Sequence, residues 1–187
     1  LLSLVFARFG DKILLGQYQF VLSVMSIVSI FSLLGLNAAA LEAVAQGREA
    51  AIFRASRSIF RASLLGLLLI VITGVYTAFF KNEGDATLGM ALIISGVLFP
   101  IFYATSSWSS FYEGKLLFKE SSLKMIALNV ALTTLLVGMV FLNAGLIALV
   151  ITYATVSILF QGIYLLGLRK KISKQSNDAL DTRFGIA

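Results

Sequence analysis

Three arginines, Arg54, Arg57 and Arg61, follow a three-then-four spacing within the stretch from Asn37 to Ser63. On a helix beginning near Ala50 that spacing stacks their side chains on one face, with Phe53, Ser56, Phe60 and Leu64 on another. Guanidinium groups so arranged suit phosphate. Either they mark the cytoplasmic side and anchor to lipid phosphates, or they guide an anionic substrate toward the protein. The rest of the reactive inventory is thin. The chain has no Cys and no His, which removes disulfides, thiolate and imidazole metal sites, Cys-His and Ser-His nucleophile pairs and the usual pH switch. Its nine acids, Asp11, Glu42, Glu49, Glu83, Asp85, Glu113, Glu120, Asp178 and Asp181, are scattered. No two of them form a recognisable metal or acid/base pair, so neither an enzyme nor a cofactor is expected.

A second group of residues is neutral and polar within apolar surroundings: Asn129, Thr133, Thr134, Thr152, Tyr153, Thr155, Ser157 and Gln161. Asn129 and Thr133 lie one helical turn apart, and Tyr153, Ser157, Gln161 and Tyr164 share a helical face. Hydrogen bonding between helices accounts for such groups at about 0.6 kcal/mol each; the alternative is a wet cavity facing a sugar or pyrophosphate. Arg8 ends the first apolar run, where its long side chain can point to lipid or into a lumen. Pro100, the one proline, removes the bond to the carbonyl of Gly96 and predicts a bend, with Gly96 and Pro100 as a candidate hinge.

The elements that carry these residues follow from composition. Of 187 residues 59% are hydrophobic and 13% charged, against about 45–50% and 25% in a soluble domain. The excess falls in runs near the twenty or so residues that cross a bilayer core as helix, where lipid satisfies no backbone group. This predicts an all-α integral membrane bundle of about six spans over residues 1–168: a partial one at 1–7, then 20–36, 64–80, 88–110, 125–142 and 146–168. Residues 8–19 read as a connection punctuated by Gly10, Asp11 and Gly16, and 81–87 as a hydrophilic turn. Residues 169–187 read as a polar cytoplasmic linker. Ser23, Ser26, Ser29 and Ser32 form a hydroxyl stripe expected to pack on a neighbouring helix.

Positive charge then orients the bundle. Arg48, Arg54, Arg57 and Arg61 fall in one predicted inside segment, Lys115, Lys119 and Lys124 in the next, and Arg169, Lys170, Lys171 and Lys174 in the last. The outside turns hold only Arg8, Lys12 and Lys81. Cytoplasmic loops collect Lys and Arg, so these ends are expected on one side. Nucleic acid is not an expected partner, because the basic residues lie beside membrane spans. No ionised side chain sits near the middle of a span from the second to the sixth, which argues against a proton relay or voltage sensor within them.

The run LVFARFGDKILLGQYQFVLSVMSIVSIFSLLGLNAAALEAVAQG resembles the start of bacterial polysaccharide flippases of the multidrug/oligosaccharidyl-lipid/polysaccharide exporter superfamily. The matches are Ala7 with Arg8, Gly16 with Tyr18, Gly35 with Leu36, and Gly47; Phe9 and Gly10 depart from the usual spacing after the arginine. FYEGKLLFKESSLKMIALNV is similar to the family's loop between helices four and five, and LNAGLIALVITYATV to its next hairpin. The resemblance implies one lobe of a two-lobed, inverted-V transporter of the bacterial inner membrane. Such a protein carries polyprenyl-diphosphate-linked oligosaccharide by alternating access. It also implies a substrate path with Arg8 as its cation, Arg54, Arg57 and Arg61 at its cytoplasmic mouth, and Asn129, Tyr153 and Gln161 as polar lining. Expected partners are membrane lipid, the lipid-linked glycan, and a polysaccharide polymerase or glycosyltransferases. Two other readings stay open: a multidrug, ion-coupled exporter of the same superfamily, and a membrane subunit that only packs against a synthase or polymerase.

Overall fold

The computed structural model describes residues 11–32, 35–79 and 86–184, and within them the chain is helical. The elements are α1 (Lys12–Val28), a 3-10 turn (Ser29–Ser32), α2 (Gly35–Ala45), α3 (Ala51–Phe79), α4 (Ala86–Thr105), α5 (Trp108–Gly114), α6 (Phe118–Phe141) and α7 (Leu146–Phe184). Four stretches are long and apolar enough to cross a membrane: Ala51–Phe79, Ala86–Gly114, Phe118–Phe141 and Leu146–Arg169. Their outward faces are greasy, with Leu65, Ile72, Val130 and Ile163 each about 60% exposed or more. In water that belt would be an aggregation surface; in a bilayer it is the ordinary lipid-facing coat of a multi-pass membrane protein.

Helix boundaries differ from the hydropathy reading in ways that local chemistry explains. Residues 12–19, expected as connection, are the first turns of α1. Asp11 caps them, its carboxylate accepting the Ile13 N–H at 2.9 Å, and Tyr18, Val21, Met25 and Val28 form a buried stripe at helical spacing. Gly16 costs such a helix only about 1 kcal/mol, which the stripe's packing overrides. The span expected over 20–36 is interrupted: the α-helix stops at Val28 and a new one starts at Gly35. The Ser29 hydroxyl donates to the Ser26 carbonyl at 2.6 Å, a local bond that competes with the helical ladder. Ser23 and Ser26 are exposed, so this half of the hydroxyl stripe does not pack on a neighbouring helix, whereas Ser29 meets Tyr103 of α4.

At the far end of α4 the same competition recurs. Thr105 donates to the Ile101 and Phe102 carbonyls, Ser106 to Tyr103 and Ser107 to Ala104, at 2.8–3.0 Å. These hydroxyls satisfy the last carbonyls and end the helix before Trp108, so the expected 88–110 span is two helices. α6 begins at Phe118 rather than 125, and α7 runs on to Phe184 where a linker is expected. Hydropathy marks only the lipid-buried part, whereas the backbone ladder continues into the polar layer. α3, with 29 residues, is roughly 43 Å long against a hydrocarbon core of about 30 Å, so its arginine-bearing start extends past the core.

Inside a membrane the driving force between helices is close packing rather than escape from water. α3 and α4 form the most intimate pair. A Cβ built on Gly74 would lie 2.9 Å from the Gly89 carbonyl oxygen, and one on Gly96 3.0 Å from Val71 Cγ2. Around that pair one core collects Tyr18, Val21, Ile70, Leu92, Phe99 and Leu149. A second, at the arginine-bearing end, collects Val44, Ile52, Trp108, Phe111, Tyr112 and Leu168.

Three helix ends reverse through a left-handed residue with the same bond pair. Gly47 (φ 83°), Leu116 (φ 58°) and Asn143 (φ 51°) each donate to the carbonyl three residues back, and the next residue donates to the carbonyl five back. Gly and Asn suit that conformation, but Leu strains there by roughly 1–2 kcal/mol. Leu116 is 74% exposed and gains little from burial. Leu116→Gly should therefore stabilise the protein by about 1 kcal/mol, seen as a higher melting temperature in detergent.

Candidate functional site

The cation-bearing ends converge on one end of the bundle. Ser56 on α3 donates to the Ala104 carbonyl of α4 at 2.7 Å, and Lys115 after α5 pairs with Glu49 before α3. Lys124 on α6 donates to the Tyr112 hydroxyl and sits 3.8 Å from that ring's centroid. The Tyr164 hydroxyl of α7 donates to the Lys124 carbonyl at 3.3 Å. At the opposite end the start of α1, with Asp11 and Gln17, shares a shallow pocket with the Asn143–Gly145 turn. The clustering of inside segments expected from charge is thus a geometric fact of the described residues.

Within that end lies an open cleft of about 510 Å³ lined by Phe53, Ser56, Arg57, Phe60, Ala104 and Arg169. Of the three candidate arginines only Arg57 lines it; Arg54 and Arg61 are exposed beside it. Phe53, Ser56 and Phe60 share a face as their spacing puts them, with Arg57 beside them on the cleft. The buried stripe of α3 is Ile52, Ile59, Ser63, Gly66, Ile70, Gly74 and Thr77, so Phe60 and Leu64 look outward, 40% and 43% exposed. Arg169 is legible in sequence only as a charge that stops a span. Its place beside Arg57 depends on α7 returning antiparallel to α6, which local pattern does not reveal.

The interior polar face of α7 is where its spacing puts it. Tyr153 stacks on Phe102 of α4, with centroids 5.8 Å apart, and Phe102 and Phe99 in turn pack on Tyr103 at 5.2 and 4.5 Å. A side-chain hydrogen bond joins Tyr103 to Ser29. Gln161, 8% exposed, accepts a bond from Thr105 at 3.3 Å, and Tyr164 meets Trp108 edge-on at 5.0 Å. This neutral, aromatic and hydroxylated seam joins the 3-10 turn, α4, α5 and α7.

Asn129 is not part of it. It is exposed on α6 in an open groove with Ile126, Val130, Thr133 and Thr134, because the buried stripe of α6 runs through Leu128, Leu132 and Leu136. Gly96 and Pro100 are buried, and the helix runs through Pro100 without a break. Arg8 lies outside the described residues. Among the described residues no group of three or more His, Cys, Asp or Glu side chains could hold a metal ion.

A bundle of this kind, with cations at one end and a neutral polar seam within, matches the sequence profile of the polysaccharide biosynthesis proteins over residues 1–183. The chain belongs to that family. No curated protein and no solved structure gives a match. For this polysaccharide biosynthesis protein, membership and fold agree on a multi-pass membrane protein that is helical over its described residues.

Proposed function

We propose that this polysaccharide biosynthesis protein moves polyprenyl-diphosphate-linked oligosaccharide across the bacterial inner membrane by alternating access, the bundle acting as one lobe of a two-lobed transporter. The observation that carries the reading is the family match over residues 1–183. The geometry supports it in two ways. Cations gather at one end, which the positive-inside rule makes cytoplasmic and where an anionic diphosphate headgroup would be collected by Arg54, Arg57 and Arg61. The interior groups are hydroxyls, amides and aromatic rings, suited to sugars and not to ions; Tyr153 and Gln161 offer the hydrogen bonds, while Asn129 lies outside the seam on the exposed groove of α6. Arg8 supplies the cation along the path, and Gly96 with Pro100 lets α4 flex.

The test is movement itself. The full-length protein in liposomes should make a lipid-linked oligosaccharide loaded in one leaflet accessible to a glycosidase acting on the other, and protein-free liposomes should not. In cells, Arg8→Ala should reduce surface polysaccharide at least tenfold while the protein inserts normally. Surface polysaccharide at the wild-type level would remove Arg8 from the path, and absence of flux by the intact protein would favour the packing-subunit reading.

A further inference from the structure

The cleft between α3, α4 and α7 holds two guanidinium groups, Arg57 and Arg169, both exposed. Among the described residues neither is ion-paired; the carboxylate pair at this end, Glu49 with Lys115, lies elsewhere. Two unneutralised cations lining one cavity demand an anion, and guanidinium forks match phosphate oxygens geometrically. Ser56 does not compete, since its proton is committed to the Ala104 carbonyl.

What surrounds the cleft says what kind of phosphate. Phe53 and Phe60 wall it, and Phe60 is 40% exposed. One or two turns deeper on the same helical faces come Leu64 on α3, Ile101 and Val97 on α4 and Leu166 on α7, all exposed and apolar. A polar phosphate site thus continues into an outward-facing apolar track running toward the bilayer centre. A free anion would have no use for that track; an amphiphile with its phosphate at headgroup depth and its chains in the membrane uses both.

We propose that the Arg57–Arg169 cleft binds the phosphate of a membrane lipid, whose chains lie along Phe60, Leu64 and Ile101. The lipid bridges α3 to α7 at the arginine-bearing end. The inference rests on placement in a membrane and not on transport, and its readout is binding to purified protein.

The experiment is native mass spectrometry of the full-length protein in detergent, equilibrated in turn with phosphatidylglycerol, phosphatidylcholine, a polyprenyl diphosphate and inorganic phosphate. The wild type should retain phosphatidylglycerol at least tenfold over phosphatidylcholine. Arg57→Gln with Arg169→Gln should lose that retention by about tenfold or more, while Arg57→Lys with Arg169→Lys, keeping charge without the fork, should lose less. If polyprenyl diphosphate displaces phosphatidylglycerol, the lipid-phosphate site stands and its occupant is the cargo. Equal retention by the wild type and a monodisperse double-Gln variant overturns the proposal. Displacement of the lipid by inorganic phosphate at equal concentration also overturns it. Should the double-Gln variant aggregate, the proposal falls instead if the wild type and the double-Lys variant each hold phosphatidylglycerol no better than phosphatidylcholine.

Discussion

Gly89→Ala should destabilise the bundle by about 2 kcal/mol, and Gly89→Leu should yield no folded protein. The added Cβ would lie 2.5 Å from Ala78 Cβ, 2.9 Å from Ala78 Cα and 2.8 Å from the Gly74 carbonyl oxygen. Two of those three atoms are backbone, so no rotamer change relieves the clash and α3 must move away from α4. Overpacking of this kind costs about 1–3 kcal/mol, at the upper end where the wall is rigid, and the roughly 1 kcal/mol that Ala gains over Gly in a helix does not offset it. Gly138 on α6 is the control, because nothing lies within 4 Å of a Cβ built there. Gly138→Ala should raise stability by about 0.5–1 kcal/mol. Thermal melting in detergent, followed by size-exclusion of the soluble fraction, separates the two. A Gly89→Ala protein as stable as the wild type would mean that α3 and α4 are not so close.

Trp108→Ala should cost about 3–5 kcal/mol and loosen the arginine-bearing end. Trp108 is 2% exposed, meets Tyr112 and Tyr164 edge-on at 6.0 and 5.0 Å, and anchors a cluster drawn from α2, α3, α5 and α7. Large-to-small replacement at such a site loses the transfer free energy and leaves a cavity, and each lost ring pair adds about 0.5–1.5 kcal/mol. Limited proteolysis at the 46–50 turn should accelerate in Trp108→Ala and much less in Trp108→Phe, which keeps an aromatic body in place. Unchanged cleavage in both would show that α2 and α5 are held by something else, the approach of Gly114 to the Leu41 carbonyl being the next candidate.

Where the bundle crosses lipid is readable from sequence, because an apolar run of that length has one physical outcome. Which end gathers the cations is readable too, since charge positions along the chain encode it. The helix ends are not. Gly16 reads as a breaker but is carried inside α1 by the stripe through Tyr18 and Val21, and Ser29 and Ser107 read as helix interior but divert carbonyls locally. Of the candidate residues, Tyr153 and Gln161 fall together because they share one helix face. Asn129 falls outside because a single residue's rotation from Leu128 turns it out of the bundle. Arg169 can be found only from the tertiary fold, since its neighbour Arg57 belongs to a helix far off in the chain.

The bond from Ser56 to the Ala104 carbonyl sets a mechanical condition on the whole end. Ala104 lies one turn past Pro100, and its oxygen is shared by Ser107 as well. A lever that pivots at the proline would therefore pull on α3 one residue before Arg57, so tilting the tip of α4 and re-aiming that guanidinium would be a single displacement.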